Sequence, residues 1–520
     1  MCLILDFVVG HAFVGSALKS YVLCFLPLHG SHTANLLLQT YESIIHSFDI
    51  QSKLVRLVTD NASNNIKAFE SLIIPGFESY FETEGEDNDE ETSDIDLDEF
   101  ADDDYDGITD SVIDINDPKI MEMIKASFDN INSNNEALRI PCFAHTIQLV
   151  VGDGLKHVSA IQSALTKVSK IAKLSHTSTI FAEKLEQLGK SIPRANKTRW
   201  NSQFNMVEKL CRIPSAELNE ILVGLKRKDL CLLTKDYQML NEFLSLLTLF
   251  ADATTITQAE DTPSISFIAP IVLAIYYDLI EEQSNVMYTS SLCQVLLNSL
   301  VSRFGGLLER LGVDIDKSIK HKQSSELFKD EIFIYSPFLD GKFKLHWVTE
   351  SSLPVETKRN LCDKIKSLIF DHCVVLEHNC CSTTVIESDT IDNEQPTPNS
   401  TTATTPIRPT SKRKSLFSNL ERKNTKKQKV NCFSSIKEEI NNYLNDDSID
   451  DTNRFLLMAE PSKYKSLTKL AQKVLTVPAT SSAVERIFSQ SGFLFRQHRA
   501  NMSRKTLEML TMLKCNQELV

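Results

Sequence analysis

The fold class is decided by Leu57-Val58-Thr59-Asp60-Asn61-Ala62-Ser63-Asn64, where an apolar run ends abruptly in an acidic residue. The run before Asp60 is rich in β-branched residues, and the change to Asp, Asn and Ser marks a strand-to-loop transition. A carboxylate at the end of a buried strand is held rigidly at a sheet edge, where open α/β sheets place their sites. The same residues also fit an Asx turn that closes the strand and carries no chemistry.

The residues before this stretch extend the α/β pattern. Apolar runs of strand length cover Met1–Val9 and Tyr21–Leu28, and Thr33–Phe48 has the apolar spacing of a helix. We therefore predict an α/β fold for the N-terminal part of the chain. Because the chain opens directly on a core strand, we also expect that an upstream part of the protein is missing.

The charge of the chain is concentrated in one segment. The 520 residues include 55 Lys+Arg and 69 Asp+Glu, for a formal net charge of −14. Fifteen of the acidic residues, and no basic one, lie between Glu82 and Asp106, which leaves 54 acidic residues against 55 basic ones elsewhere. The net charge therefore does not exclude a nucleic-acid partner.

Cysteine usage and the N-terminal residues exclude several classes of protein. The 12 Cys form no C-x2-C pair, which favours a reducing cytosolic or nuclear compartment and argues against a finger of the C-x2-C…H-x3-5-H type. Asp6, His11 and Lys19 interrupt the first apolar stretch, so we predict neither a signal peptide nor a membrane partner.

Composition divides the chain into four regions. Residues 1–150 hold the α/β part, and they include an acidic insert at 80–110 that is too charged to pack and is predicted to be disordered. A helical region follows at 151–380. A disordered linker rich in Ser, Thr and Pro, with a basic end, covers 381–432, and a helical C-terminal region covers 433–520.

The basic end of the linker contains two short clusters. This arrangement fits a two-part nuclear-import signal, a non-specific DNA tether or a solvated linker. The residues are Lys412, Arg413 and Lys414, followed by Lys426, Lys427 and Lys429.

Three further groups of residues have chemical potential, and each has a structural alternative. Glu485 has capping-box spacing from Ser482, or it provides a carboxylate for a metal pair. Cys142 and His145 have Cys-x2-His spacing, which supplies two of the four ligands that zinc needs, or they are a buried thiol and a hydrogen-bonded imidazole.

Arg199-Trp200 is the third group. An Arg beside an exposed Trp suits contact with a phosphate and stacking on a base. Alternatively, Trp200 anchors the helical region while Arg199 faces solvent.

Taken in order, these motifs resemble those of the hAT superfamily of transposases, especially its zinc-finger-BED-type relatives, over nearly the whole chain. Any one motif is weak, but five or six in the family's order are specific. The resembling segments are Gly30–Thr33, Val58–Asn64, Cys142–Val151, Thr198–Ser202, Thr262–Ile265 and Pro478–Ser489.

The resemblance implies a ribonuclease-H-like core, built from N-terminal strands and completed by a C-terminal helix, that is interrupted by a long helical insertion. It also implies an Asp, Asp, Glu triad that cuts DNA with Mg²⁺ or Mn²⁺. Asp60 then becomes the second acid and Glu485 the third, and both become metal ligands. Cys142 and His145 become residues close to the active site and the DNA, and Trp200, beside Arg199, stacks on a flipped base.

Two departures from the family pattern point to impaired chemistry. The first acid should end the first strand two residues before a Trp, but the only candidate is Asp6, and Val8 stands at the Trp position. No BED finger is present in the sequence. We therefore expect a transposase-derived nuclear protein that dimerises, binds DNA and has impaired or no transposase activity. An active metal-dependent nuclease and a non-enzymatic interaction scaffold are the alternatives.

The resemblance places self-association in the C-terminal region. The expected dimerisation residues are Ala483, Val484, Ile487, Phe488, Leu507, Leu510 and Leu513.

Overall fold

A computed structural model describes most of the chain. The described residues are 5–14, 17–27, 43–50, 53–59, 73–81, 139–195, 200–259, 262–381, 436–448, 463–494 and 503–517. They form a mostly helical structure with four strands in two separate two-stranded sheets.

The first sheet is an antiparallel hairpin of β1 (Leu5–Val14) and β2 (Ala17–Pro27), with a register irregularity between Val8 and Val9. β1 continues past the predicted end at Val9, and β2 begins before the predicted start at Tyr21. Polar residues in these extensions pair with each other between the two strands. His11 lies opposite Ser20, and the Ser20 hydroxyl lies 2.8 Å from His11 Nδ1. A cross-strand polar pair satisfies both groups, so the change in hydropathy does not end either strand.

The second sheet pairs β3 (Leu57–Thr59) in parallel with β4 (Arg139–Pro141). β3 is the apolar run that the sequence predicts as a strand before Asp60. The residue before it, Arg56, forms an ion pair with Asp330 through Nε, at 3.3 Å, and the two side chains are 2% and 8% exposed. Since a buried charge is costly without its partner, this pair fixes β3 against the helical body.

Helices account for the rest of the described structure. The N-terminal half contains α1 (Glu78–Phe81), α2 (Phe143–Leu155), α3 (Gln162–Thr177), α4 (Thr179–Gln187), α5 (Trp200–Cys211), α6 (Ser215–Gly224), α7 (Thr234–Thr257), α8 (Ile268–Glu282) and α9 (Ser290–Arg310). The C-terminal half contains α10 (Gln323–Leu327), α11 (Ile332–Tyr335), α12 (His346–Thr349), α13 (Val355–Cys381), α14 (Ile436–Leu444), α15 (Lys465–Val474), α16 (Ser482–Leu494) and α17 (Arg504–Cys515).

Helix α2 lies at the centre of this body, against α9. The ring of Phe143 lies 5.7 Å from that of Phe304, and both side chains are fully buried. Helix α9 is long and apolar enough to cross a membrane by length and composition, but most of it is buried inside the protein. The helix that carries Cys142 and His145 near its start is thus part of the main hydrophobic core.

The C-terminal region divides into two halves. Helices α14 and α15 pack against α13, whereas α16 packs against β1 and α17 against β2. A small apolar cluster, separate from the main core, joins the hairpin to the last two helices and is centred on Val22 and Ile487. The two ends of the chain therefore form one packed unit.

Because α2 packs closely on α9, we expect the substitution Gly154→Ala to destabilise the protein, although Gly→Ala in a helix usually stabilises. A Cβ there would lie 2.6 Å from Leu296 Cδ2, and Leu296 is fully buried. Helical Gly→Ala normally stabilises by up to about 1 kcal/mol. For Gly154→Ala we expect instead a loss of about 1–3 kcal/mol, because the core is overpacked.

Thermal unfolding compared with Gly224→Ala tests this expectation. A Cβ on Gly224 would have Lys184 Nζ as its nearest neighbour, at 3.5 Å, so the added methyl group should be neutral or stabilising. If Gly154→Ala is at least as thermally stable as the wild-type protein, α2 and α9 are not in close contact at Gly154.

Candidate functional site

The candidate site is built around the segment 478–486, which leads into α16 and meets the N-terminus of α2. The Phe143 amide donates to the carbonyl of Ala479 at 2.8 Å. Ser481 donates to Cys142 Sγ through both its amide and its hydroxyl, each at 3.3 Å. The Cys/His motif and the C-terminal motif, far apart in sequence, are therefore in direct contact.

The Thr262–Ile265 segment contacts the same place from another side. Ser264 Oγ accepts a hydrogen bond from the Ala479 amide at 2.9 Å. Two residues later, the Ser266 hydroxyl donates to Asp340 Oδ2 at 2.7 Å, and Asp340 is fully buried. Asp340 was not among the residues predicted from the sequence; its signal was an isolated acid after the apolar Phe338 and Leu339.

The hairpin covers this junction and borders a small, partly open cavity. The cavity is lined from the hairpin by His11, from α7 by Thr257 and from the C-terminal segment by Ser482 and Arg486. Arg486 Nη1 donates to the carbonyl of Gln258 at 2.9 Å, just after the end of α7. A guanidinium at this position interacts favourably with the negative end of the helix dipole.

Burial, with a smaller effect from the charge of Arg486, lowers the pKa of His11 to about 4. Both causes disfavour the imidazolium form, so His11 is neutral at physiological pH. A neutral imidazole can remain beside Arg486 without charge repulsion.

The structure describes the predicted catalytic acids to different extents. Glu485 lies in the first turn of α16 with an exposed side chain. Asp6 lies near the start of β1, opposite Leu26, and not at the end of that strand as the family pattern requires. Asp60 directly follows β3 but lies outside the described residues. β1 and β3 belong to different sheets.

The described acids do not by themselves form a metal site. Among the described residues, no group of three or more His, Cys, Asp or Glu side chains comes together around a metal-sized space. The predicted Mg²⁺ or Mn²⁺ chemistry needs carboxylates that converge from separate segments, and Asp60 lies outside the described residues. Pairing of Glu485 with Asp60 therefore stays a prediction.

The predicted DNA-contacting residues that the structure describes are mostly buried. Trp200 is 1% exposed and stacks edge-on against Phe204, with ring centroids 6.0 Å apart, so it anchors α5 in the core. Cys142 and His145 are buried at the start of α2. Arg199 lies outside the described residues. In this conformation the Trp200 ring is not available to stack on a base.

The predicted dimerisation residues divide between two environments. Val484, Ile487 and Leu507 pack into the apolar cluster that joins the hairpin to α16 and α17. Leu513 is 49% exposed on the other side of α17, and Leu510 is half-buried between the two. Ala483 lines the small cavity beside His11, and the side chain of Phe488 lies outside the described residues.

Asn516 fixes α17 to the hairpin and was not predicted from the sequence. Its Oδ1 accepts from the Val22 amide, and its Nδ2 donates to the Val22 carbonyl, both at 2.9 Å. A carboxamide thus replaces a neighbouring strand at this point of β2. In the sequence, Asn516 is recognisable only as a polar residue that follows an amphipathic helix. That pattern does not predict its hydrogen-bond partner, Val22.

The basic linker lies outside the described residues, as does the acidic insert from Glu82 to Asp106. The import prediction for Lys412, Arg413, Lys414, Lys426, Lys427 and Lys429 therefore stays untested by the structure.

Comparisons with known families agree with this geometry. Residues 439–516 match the hAT family C-terminal dimerisation region, and residues 140–228 match the ZBED1 RNase-like helical domain. The first match includes the segment 478–486, and the second includes the Cys/His helix that it contacts. Over these two segments the chain is similar to hAT-family proteins.

Two relatives resemble this chain at low identity. One is zinc finger BED domain-containing protein 4 from Homo sapiens, 21% identical over 43% of this chain and 18% of the relative. The other is putative transcriptional regulator tpeD from Talaromyces stipitatus, 19% identical over 96% of this chain and 50% of the relative. The chain thus spans half or less of the length of these relatives.

The partly buried imidazole of His11 makes stability depend on pH. The folded pKa of about 4 lies below the ordinary value of 6.5, so only the unfolded chain binds this proton between these values. Stability is therefore full above pH 6.5 and decreases as pH falls towards 4, by up to about 3 kcal/mol from this group.

Denaturant unfolding between pH 7.5 and 4.5, compared with His11→Gln, measures this contribution. The variant should show a shallower loss of stability with falling pH, since its amide does not titrate. The same pH slope for both proteins would show that His11 is not buried beside Arg486.

Proposed function

We propose that this chain is the dimerising body of a transposase-derived nuclear protein that binds DNA and has impaired or absent transposase activity. The observation that supports this proposal most directly is the match of 439–516 to the hAT dimerisation region, together with an exposed apolar face on α17. The names of the two relatives, a BED-domain zinc finger protein and a putative transcriptional regulator, fit a nuclear, DNA-related role.

The exposed face of α17 is the surface we assign to self-association. Met509 and Leu513 are 55% and 49% exposed, and residues four apart lie side by side on a helix. On the opposite face, Leu507 and Met512 pack against the hairpin cluster. The apolar residues that the hairpin leaves uncovered are thus the ones available to a second copy.

The proposed core of the protein is ribonuclease-H-like, completed by α16. The parallel pair of β3 and β4 and the contact of α16 with β1 are compatible with this architecture. The altered Val8 position and the placement of Asp6 near the start of β1 support impaired catalysis.

Self-association is tested by the double variant Met509→Asp/Leu513→Asp. The wild-type chain should sediment as a dimer at micromolar concentration, whereas the double variant should be monomeric with unchanged thermal stability, because two buried carboxylates would oppose association. Met287→Asp, at a side chain 75% exposed and outside the C-terminal region, is the matched control and should remain dimeric.

A wild-type chain that stays monomeric at high concentration and low salt would overturn the dimerisation proposal. A double variant that stays dimeric would show that self-association uses a different surface.

An active metal-dependent nuclease is the second candidate function. The exposed Glu485 in the first turn of α16 favours it, because a catalytic carboxylate must reach the substrate. Asp60 and Glu485 would then hold the metal, and Asp6 would be the remaining acid.

A strand-cleavage assay with Mg²⁺ or Mn²⁺ separates the two functions. If transposase activity is absent, the wild-type chain should cleave DNA no faster than the Asp60→Ala and Glu485→Ala variants. A wild-type rate orders of magnitude above both controls would establish the nuclease.

A further inference from the structure

Four residues form the solvent face of α17. Lys505, Thr506, Met509 and Leu513 are exposed, whereas Thr511, on the opposite side of the helix, is fully buried. Successive residues of an α-helix are about 100° apart, so the four exposed residues lie within a sector of about 100° that is centred between Met509 and Leu513. The solvent face is therefore a narrow strip with two apolar residues at its centre.

The charge on this face lies at one end of the helix. Lys505 is in the first turn of α17, and none of the four residues is acidic. The aligned peptide dipoles place partial positive charge at the N-terminus of a helix and partial negative charge at its C-terminus. Lys505 is thus at the end of its own helix where a cation is disfavoured, and it is suited to the C-terminal end of a neighbouring helix.

We propose that two copies of the chain associate through this face with their α17 helices antiparallel. The inference rests on the proposed self-association and adds its orientation. Met509 of one copy packs on Leu513 of the second copy, and a two-fold axis repeats the contact in the other direction. This register covers both apolar side chains, whereas pairing Met509 with Met509 would place each Leu513 opposite a Lys505.

The antiparallel register places Lys505 beside the C-terminal end of the second copy's helix. Position 505 precedes 509 by as many residues as 517 follows 513, so Lys505 lies at the level of residue 517 in the second copy. Helix α17 ends at Cys515, with Asn516 as its C-cap, so the ammonium group meets the negative end of the helix dipole. The two Lys505 residues lie 12 positions apart along the pair, which is about 18 Å.

A parallel arrangement has similar apolar contacts but opposite electrostatics. Met509 would then meet Met509, and Leu513 would meet Leu513. Both Lys505 ammonium groups would lie at the same level of the pair, where like charges repel. The two helix dipoles would also point in the same direction. Charge therefore favours the antiparallel arrangement.

The variant Lys505→Gln tests the orientation through the sign of its effect. The antiparallel dimer loses two contacts between a cation and a helix C-terminus, so its dissociation constant should rise by about 3- to 30-fold at low ionic strength. A parallel dimer would lose a repulsion, and its dissociation constant would fall. Sedimentation equilibrium measures the constant. Lys190→Gln, at an exposed lysine outside the C-terminal region, is the matched control and should leave it unchanged.

Photocrosslinking identifies the neighbours of the face directly. The variant Thr506→p-benzoylphenylalanine carries the photoreactive group at an exposed position of α17. In a mixture of unlabelled and isotopically labelled chains, peptide mass spectrometry separates crosslinks between copies from those within one copy. We expect crosslinks between copies from position 506 to residues 513–517. The same group in place of Met287, which is 75% exposed, is the control and should give none to α17.

Several outcomes would overturn the antiparallel arrangement while leaving self-association intact. These are a dimer whose crosslinks from position 506 fall on 503–509 of the second copy or miss its α17, and a dimer that Lys505→Gln strengthens or leaves unchanged. A chain that sediments as a monomer and gives no crosslinks between copies would overturn the proposed self-association itself, and the orientation with it.

Discussion

The structure depends on the hydrogen bonds by which the segment 479–481 is held on the N-terminus of α2. Ser481 and Cys142 are 339 positions apart in the chain, and closing such a long loop is entropically costly. The Phe143 amide and the Cys142 thiol offset part of that cost, because both are buried groups that find hydrogen-bond partners in this segment. Together with the Ser264–Ala479 and Arg486–Gln258 hydrogen bonds, these contacts fix α16 on the helical body.

The same segment determines where the hairpin can lie. A two-stranded hairpin is at best marginally stable in water, so β1 and β2 need a surface to pack on. Helices α16 and α17 supply it through the cluster around Val22 and Ile487, and Asn516 satisfies the backbone of Val22. In turn, the hairpin covers apolar residues that the two helices would otherwise expose. Each unit stabilises the other, and both depend on the position of the segment 479–481.

The sequence predicted the elements and the motif contacts better than the environments of single side chains. Apolar periodicity located parts of β1, β2 and β3 and the helical body. The family resemblance placed Cys142 and Glu485 near one active site, and the contact of Ser481 with Cys142 brings these two motifs together. The sequence did not predict that β1 continues past His11, because the partner of His11 is on the other strand. It did not decide whether Trp200 is exposed or buried, because the local sequence does not show which helices pack against α5. Asp340 and Asn516 were missed because their partners are distant in sequence.

The C-terminal helix shows why a dimerisation region cannot be read from its apolar residues alone. Leu507, Leu510 and Leu513 are spaced by three, and each such step turns the side chain by about 60° around the helix axis. The stripe therefore passes from the hairpin, which Leu507 contacts, to solvent, where Leu513 lies. A second copy can either use the solvent side or displace the hairpin. Displacement would expose Val22 and Ile487 and break both Asn516 hydrogen bonds, so association on the solvent side costs less.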